Sequence, residues 1–290
     1  MNYCICVSGA LGLTVLQRLV ASPITIKCVL TDRHSDGIID YCGQTQLPVF
    51  AGNPRNGKAV DWLEEKHIEF ENLLSINYLF ILEPDVLNKA KSYAVNFHGS
   101  LLPKYRGRTP HVWAIINGEK ETGVTAHLMN ANCDDGDIVR QVVVPIEAED
   151  TGAIILEKYK HLYPGLVLQV VEDIENKKVT CKKQDISKAT YFGKRTPDDG
   201  EINWDWQKER IRNWVRAQAK PYPGAFTFIG DKKIIINKIE YSDLGFTDTM
   251  ENGFVVAVVE GVPHVKTQNG VVKLLDIETE AIIKQGEILS

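Results

Sequence analysis

An asparagine and a histidine two residues apart, Asn96 and His98 in "NFHGSLLPKYRGRTP", close an apolar run just ahead of a Leu-Leu-Pro and two arginines. An Asn amide can donate to a developing oxyanion, and imidazole exchanges a proton near neutral pH, so the pair supplies parts for acyl-type transfer to an amine. Residues i and i+2 share one face of a strand, which lets both side chains converge on one reacting atom. A third part is expected in "CDDGD", where a carboxylate can hold the imidazole in one tautomer and stabilise its charged form. Chemistry alone does not choose among Asp134, Asp135 and Asp137. A calcium loop starting at Asn130 fails, because Gly does not follow the third ligand and the terminal acidic ligand is missing.

The elements around these residues read as an α/β fold. "YCICVS" and "IKCVLTD" are short apolar strands flanking a helix with Leu13, Leu16, Leu19 and Val20 at helical spacing. The alternation returns in the helical "AVDWLEEKH", the run "YLFIL", the helical "PDVLNKAK" and the strand "YAVNF". This predicts a mostly parallel, Rossmann-like sheet with helices on both faces. Ligands bind such sheets at the carboxyl edge of the strands, where Asn96 and His98 fall. Thr109 and Pro110 predict an N-cap and first-turn proline for a helix ending near Gly118, and a long helix is expected over 151–176. The domains read as 1–180, a polar linker 181–206 and a smaller domain 207–290, helical and then β-rich, with an OB-like barrel among the arrangements it admits. Trp204, Trp206 and Trp214 are expected to anchor the linker and helix onto the first domain.

Composition sets outer bounds. The 290 residues carry a formal charge of −5, which argues weakly against a surface dedicated to nucleic acid. No segment approaches the roughly 20 apolar residues that cross a bilayer, and the apolar start lacks a basic leader, so a cytoplasmic protein without membrane contact is expected. Six scattered cysteines fit reduced thiols; Cys4, Cys6 and Cys28 are expected inside strands. His67, His111, His161 and His264 read as structural. His127, in the strand before the Asp134 turn, either lines the site or satisfies a core hydrogen bond.

"NFHGSLLPKYRG" followed by "GVTAHLMNANCDDGDIV" resembles the folate-dependent formyltransferase family, and the resemblance extends through "KRTPDDGEINWDW" and "RAQAKPYPGAF". It implies that Asn96, His98 and Asp134 are catalytic, which selects among the three aspartates. It also implies that Ser100, Leu101, Leu102 and Pro103 border the folate, together with Tyr78, Phe80, Ile81 and Leu82 of "NYLFIL", where Leu79 replaces a common glycine. The implied reaction moves a formyl group from N10-formyltetrahydrofolate to a primary amine, with protonated His98 and Asn96 at the oxyanion and no metal.

For the acceptor, "PYPGAF" and "KRTPDDGEINW" look more like members acting on nucleotide-linked amino sugars, with a 4-amino or 3-amino deoxy sugar for surface glycans as the expectation. Residues 200–290 hold 11 Lys plus Arg against 13 Asp plus Glu, which disfavours phosphate-backbone contacts and a nucleic-acid partner. Methionyl-tRNA formyltransferase is the alternative, and a formyl-folate hydrolase or non-catalytic sensor the third reading. Lys104, Tyr105, Arg106 and Arg108 are expected toward the acceptor, because arginine forks suit a pyrophosphate; for Arg106 the other reading is an ion pair with an acidic loop that shapes the backbone. Ser8 and Gly9 either present backbone N–H groups to a phosphate at a helix start or simply form a strand-to-helix turn, which the lone G-x-x-G favours. A homodimer is allowed, although no exposed heptad supports one.

Overall fold

The apolar runs at the start of the chain become strands β1 (Asn2–Val7) and β2 (Thr25–Thr31), joined by helix α1 (Gly9–Val20). Leu11, Val15, Leu16 and Leu19 of α1 are buried, and Cys4, Cys6 and Cys28 are free thiols fully enclosed in the core. Helix α2 (Asp36–Thr45), strand β3 (Val49–Ala51), helix α3 (Lys58–Glu65), strand β4 (Phe70–Ile76), the short α4 (Pro84–Leu87) and strand β5 (Ala90–His98) follow. This computed structural model describes all residues, Met1–Ser290.

Two expectations shift here. The strand falls on "FENLLSI", not "YLFIL": residues 72–76 are buried between β1 and β5, whereas Asn77 turns to φ 52 and Leu79 and Ile81 stand 47% and 53% exposed. A parallel strand inside a sheet needs continuous burial on both faces, and only the earlier segment offers it. The helix beginning at Pro84 also stops early, because Ala90 pairs with Phe70 and starts β5.

The short β6 (Arg106–Gly107), helix α5 (Pro110–Ile116), and strands β7 (Glu121–Leu128) and β8 (Ile138–Pro145) complete the first sheet's surroundings. Pro110 opens α5 as expected, but Thr109 sits at φ 48 and its side chain caps nothing. The seven-stranded sheet runs β3-β2-β1-β4-β5-β7-β8, parallel through β5, with β7 antiparallel to β5. Its order reverses between β1 and β4, the kind of switch point where open α/β sheets bind ligands.

Helix α6 (Gly152–Glu175) fulfils the expected long helix. After β9 (Tyr191–Phe192) and helix α7 (Lys208–Ala217) come β10 (Ala225–Ile229), β11 (Lys232–Ser242), β12 (Val255–Val259), β13 (Val262–Thr267) and β14 (Gly270–Glu278). These last five form an antiparallel sheet in the order β10-β11-β14-β13-β12. Gly230 and Gly261, at φ 54 and 83, make the tight hairpins into β11 and β13, where a left-handed residue is required.

The chain forms two compact units that interleave in sequence. Unit 1 is Met1–Gly107, Gly123–Val144 and Lys158–Tyr191; unit 2 is Arg108–Thr122, Pro145–Glu157 and Phe192–Ser290. The tryptophan anchors work inside unit 2: the Trp204 and Trp214 indoles donate to Thr227 Oγ1 and Gly200 O, and Trp206 packs edge-on against Trp214.

Candidate active site

Strand β5 ends in unit 1 with Asn96 and His98, two apart and therefore on one face. The antiparallel register sets Asn96 opposite His127 and His98 opposite Thr125, so β7 delivers a second imidazole to the same spot. Asp134 completes the group from a turn, at φ 55. Its Oδ1 lies 3.6 Å from His98 Nδ1, 3.4 Å from His127 Nε2 and 3.4 Å from Asn96 Nδ2, while its Oδ2 accepts from the Gly107 N–H at 3.0 Å. The other two aspartates do not join. Asp135 accepts from the Asn132 amide at 2.9 Å, and Asp137 serves the fold through its carbonyl, which accepts from Leu128 N at 2.9 Å.

Backbone carbonyls only accept, and this fixes both tautomers. His98 Nε2 lies 2.7 Å from Tyr105 O, so Nε2 carries the hydrogen and the neutral ring presents a bare Nδ1 toward Asp134. His127 Nδ1 lies 2.9 Å from Leu128 O, so its Nε2 is free to accept from Asn96 Nδ2 at 3.2 Å. The amide's other hydrogen faces Asp134 at 3.4 Å, a long contact that a stronger acceptor can capture.

Burial pushes the proton affinity of His98 below its ordinary value, an effect that Asp134 and the Tyr105 carbonyl partly oppose. The resting imidazole is therefore neutral at pH 7, and the protonated His98 expected from the resemblance arises only when the ring takes up a proton. For Asp134, burial acts upward, but the charged forms of the His98 and His127 rings, together with the Gly107 N–H, hold the carboxyl well below the usual carboxylate range. The site thus pairs a fixed anion with a neutral base next to it.

A second tier of contacts holds the Asp134 turn. Gln184 Nε2 donates to the carbonyls of Asp134 and Gly136 at 2.9 and 2.7 Å, and its Oε1 accepts from Arg106 Nη2 at 2.7 Å. Arg106 also donates to the Tyr191 hydroxyl and stacks on that ring at 5.2 Å. Only 1% of Arg106 is exposed, so its guanidinium braces the turn instead of facing solvent. Gln184 carries no sequence signal; it lies in a polar stretch without periodicity.

The remaining expected residues separate into two places. Tyr105 is buried and contributes its carbonyl, whereas Lys104 and Arg108 are exposed. Ser8 and Gly9 lie at the β1 end of the switch point: Ser8 Oγ accepts from Leu79 N at 3.2 Å, Ser8 O from Asn77 Nδ2 at 3.0 Å, and Gly9 N donates to Ser35 Oγ at 2.9 Å. Ser8 thus braces the entry to the 78–82 loop, and the Gly9 N–H expected toward a phosphate is taken by Ser35. Of the residues expected beside folate, Leu82, Ser100 and Leu102 are buried, while Phe80, Leu101 and Pro103 are partly exposed and Ile81 is open. Ser100 shapes its loop, donating to Lys104 O at 2.7 Å.

Two family models match this chain: "Formyl transferase" over residues 54–171 and "Formyl transferase, C-terminal domain" over 194–287. The chain belongs to the formyltransferase family. The first match contains Asn96, His98, His127 and Asp134; the second takes in α7 and the antiparallel sheet. Among solved structures, this formyltransferase is similar to an N-formyltransferase from Helicobacter canadensis in complex with folinic acid and dTDP-3-aminofucose (21% identity, TM-score 0.74, covering 94% of this chain and 98% of that one). It is also similar to a sugar N-formyltransferase from a Shewanella species (24% identity, TM-score 0.67, covering 82% and 97%) and to methionyl-tRNA formyltransferase from Clostridium thermocellum (18% identity, TM-score 0.58, covering 98% and 99%).

Two substitutions test how this formyltransferase holds its site. A Cβ on Gly136 would stand 1.8 Å from Leu128 O, so Gly136→Ala must push the Asp134 turn away from β7. The expected cost is about 1–3 kcal/mol, typical of overpacking, read as a lowered unfolding midpoint in denaturant. His127→Phe keeps the bulk but removes the acceptor that orients Asn96. It is expected to lower kcat about tenfold with little change in KM, the scale of a modest misplacement of a reacting group.

Proposed function

We propose that this chain transfers a formyl group from N10-formyltetrahydrofolate to the primary amine of a nucleotide-linked amino sugar, a 3-amino or 4-amino deoxy sugar. The observation that carries the reading is the convergence of Asn96, His98 and Asp134 with His98 Nδ1 left as a bare acceptor. The folinic acid and dTDP-3-aminofucose held by the Helicobacter canadensis relative support the two substrates. The acidic balance of residues 200–290 supports a small acceptor over a tRNA. We carry the division into a catalytic domain 1–180, a linker 181–206 and a smaller domain 207–290 as part of this reading.

The residues near the switch point fit a folate. The Tyr78 hydroxyl is buried without a hydrogen-bond partner, and Leu79 and Ile81 extend apolar side chains from the same loop. A flat heterocycle with polar edges meets both needs. Tyr78, Phe80, Ile81 and Leu82 with Ser100 to Pro103 would hold it, and when bound it supplies an activated formyl carbonyl.

The chain's own groups then divide the work. The Asn96 amide turns the hydrogen facing Asp134 toward the oxygen on which negative charge develops. His98 Nδ1 takes the proton released by the attacking amine, and Asp134 stabilises the imidazolium so formed. The proton held on Nδ1 is then available for the departing nitrogen, which leaves His98 neutral again. Lys104, exposed and close to His98 in sequence, is assigned to the acceptor's diphosphate.

Mass spectrometry of a panel tests the acceptor: nucleotide-linked 3-amino and 4-amino sugars, methionyl-tRNA and an amine-free control, each with formyl donor. A gain of one formyl group on a sugar nucleotide is expected. Formylation of tRNA alone, or formate release without an amine, would replace this reading.

A further inference from the structure

Unit 2 contains a cavity of about 360 Å³ built without any residue of the Asn96 site. Arg212 and Arg216 enter it from α7, Lys220 follows that helix, and Lys238 comes from β11; the acidic side chains on its wall are Glu149 and Asp276. Four cations against two anions is a local excess, since the chain carries −5 overall.

Arg216 is held by neutral acceptors. Its Nε donates to Asn213 Oδ1 at 2.9 Å, and its Nη1 donates to the carbonyls of Glu147 and Asp150 at 3.1 and 2.8 Å. No carboxylate lies in salt-bridge contact with it. Arg212, four residues earlier on the same helix face, repels it, and like charges at this spacing destabilise a helix. Burial, with that repulsion second, pulls the Arg216 guanidinium below its ordinary proton affinity. The other cations have only solvent-exposed partners: Arg212 with Glu149, itself 76% exposed, Lys220 with Glu278, and Lys238 with Glu240. Such pairs contribute little and exchange readily for a stronger anion.

We propose that this cavity binds a small phosphorylated molecule, with its phosphate or diphosphate between Arg212, Arg216 and Lys238. A group of two or more negative charges relieves the arginine repulsion, and guanidinium forks match phosphate oxygens in pairs. The volume sits at the low end of small-ligand pockets, roughly 300–1,000 Å³, which suits a nucleoside diphosphate or a shorter compound. Asp276, Glu149 and the acidic balance of residues 200–290 oppose a nucleic-acid backbone. The site does not depend on the proposed acceptor or on the Asn96 chemistry.

Calorimetric titration of the full chain with inorganic phosphate and with pyrophosphate tests it, beside the double variant Arg212→Ala/Lys238→Ala. Saturable binding of pyrophosphate, weaker for phosphate, is expected, with at least a tenfold loss of affinity in the variant and unchanged formyl transfer. Hydrogen exchange on the unaltered protein gives an independent reading: pyrophosphate should protect amides of 208–217 and 232–242. Absence of saturable binding, equal binding by a folded double variant, or protection elsewhere overturns the proposal.

Discussion

Replacing His98 with alanine is expected to lower formyl transfer at least about a hundredfold, the lower end of what a positioned acid–base group contributes. The expectation rests on the tautomer. Because the Tyr105 carbonyl takes the Nε2 hydrogen, Nδ1 is the ring's proton acceptor, and no neighbouring side chain duplicates it. His127 does not substitute, since its Nε2 is engaged by Asn96. Asn96→Ala should cost a similar factor, since it removes the amide proposed as oxyanion donor. Steady-state kinetics on variants with an unchanged unfolding midpoint checks both. Near-normal turnover by either folded variant would remove that residue from the mechanism.

Asp134→Asn is expected to be comparably damaging and to leave a second trace. In the proposed reaction the carboxylate stabilises imidazolium, so its loss raises the energy of the state in which His98 would hold the amine proton. It also removes an interaction that raises the proton affinity of His98 against burial. The sign follows directly. In the parent enzyme His98 titrates below its ordinary value near 6.5, so its base form predominates at neutral pH and is lost as pH falls through that lowered value. In Asp134→Asn the titration moves lower still. An NMR titration of the His98 ring in both proteins measures this, and an upward shift in the variant would contradict the assignment. Asp135→Asn should change transfer only mildly, because Asp135 is tied to Asn132 in its own loop.

The i, i+2 spacing at a strand end made Asn96 and His98 legible in the sequence, since one strand suffices to put them on one face. The long helix α6 was legible for a like reason: its pattern is local. What stayed hidden depends on pairing between distant segments. His127 read equally as a site residue or a core hydrogen-bonding group, and only the β5–β7 register, which an isolated strand does not encode, sets it opposite Asn96. The tautomer of His98 is set by a backbone carbonyl, which every residue possesses and no motif marks. Arg106 read as either a phosphate ligand or a structural brace, and its sequence position does not show that Gln184 and Tyr191 from the linker region take up its donors. "YLFIL" read as a strand by composition, and the sheet excluded it because "FENLLSI" already filled the slot beside β1.

The most direct measurement of the central claim follows an isotope-labelled formyl group by NMR, with the purified chain, labelled N10-formyltetrahydrofolate and a nucleotide-linked amino sugar. The label is expected to appear as a sugar formamide with the parent enzyme and to remain on the folate with His98→Ala. Label released as formate, or left on the folate by the parent enzyme with every amino sugar offered, would contradict that claim.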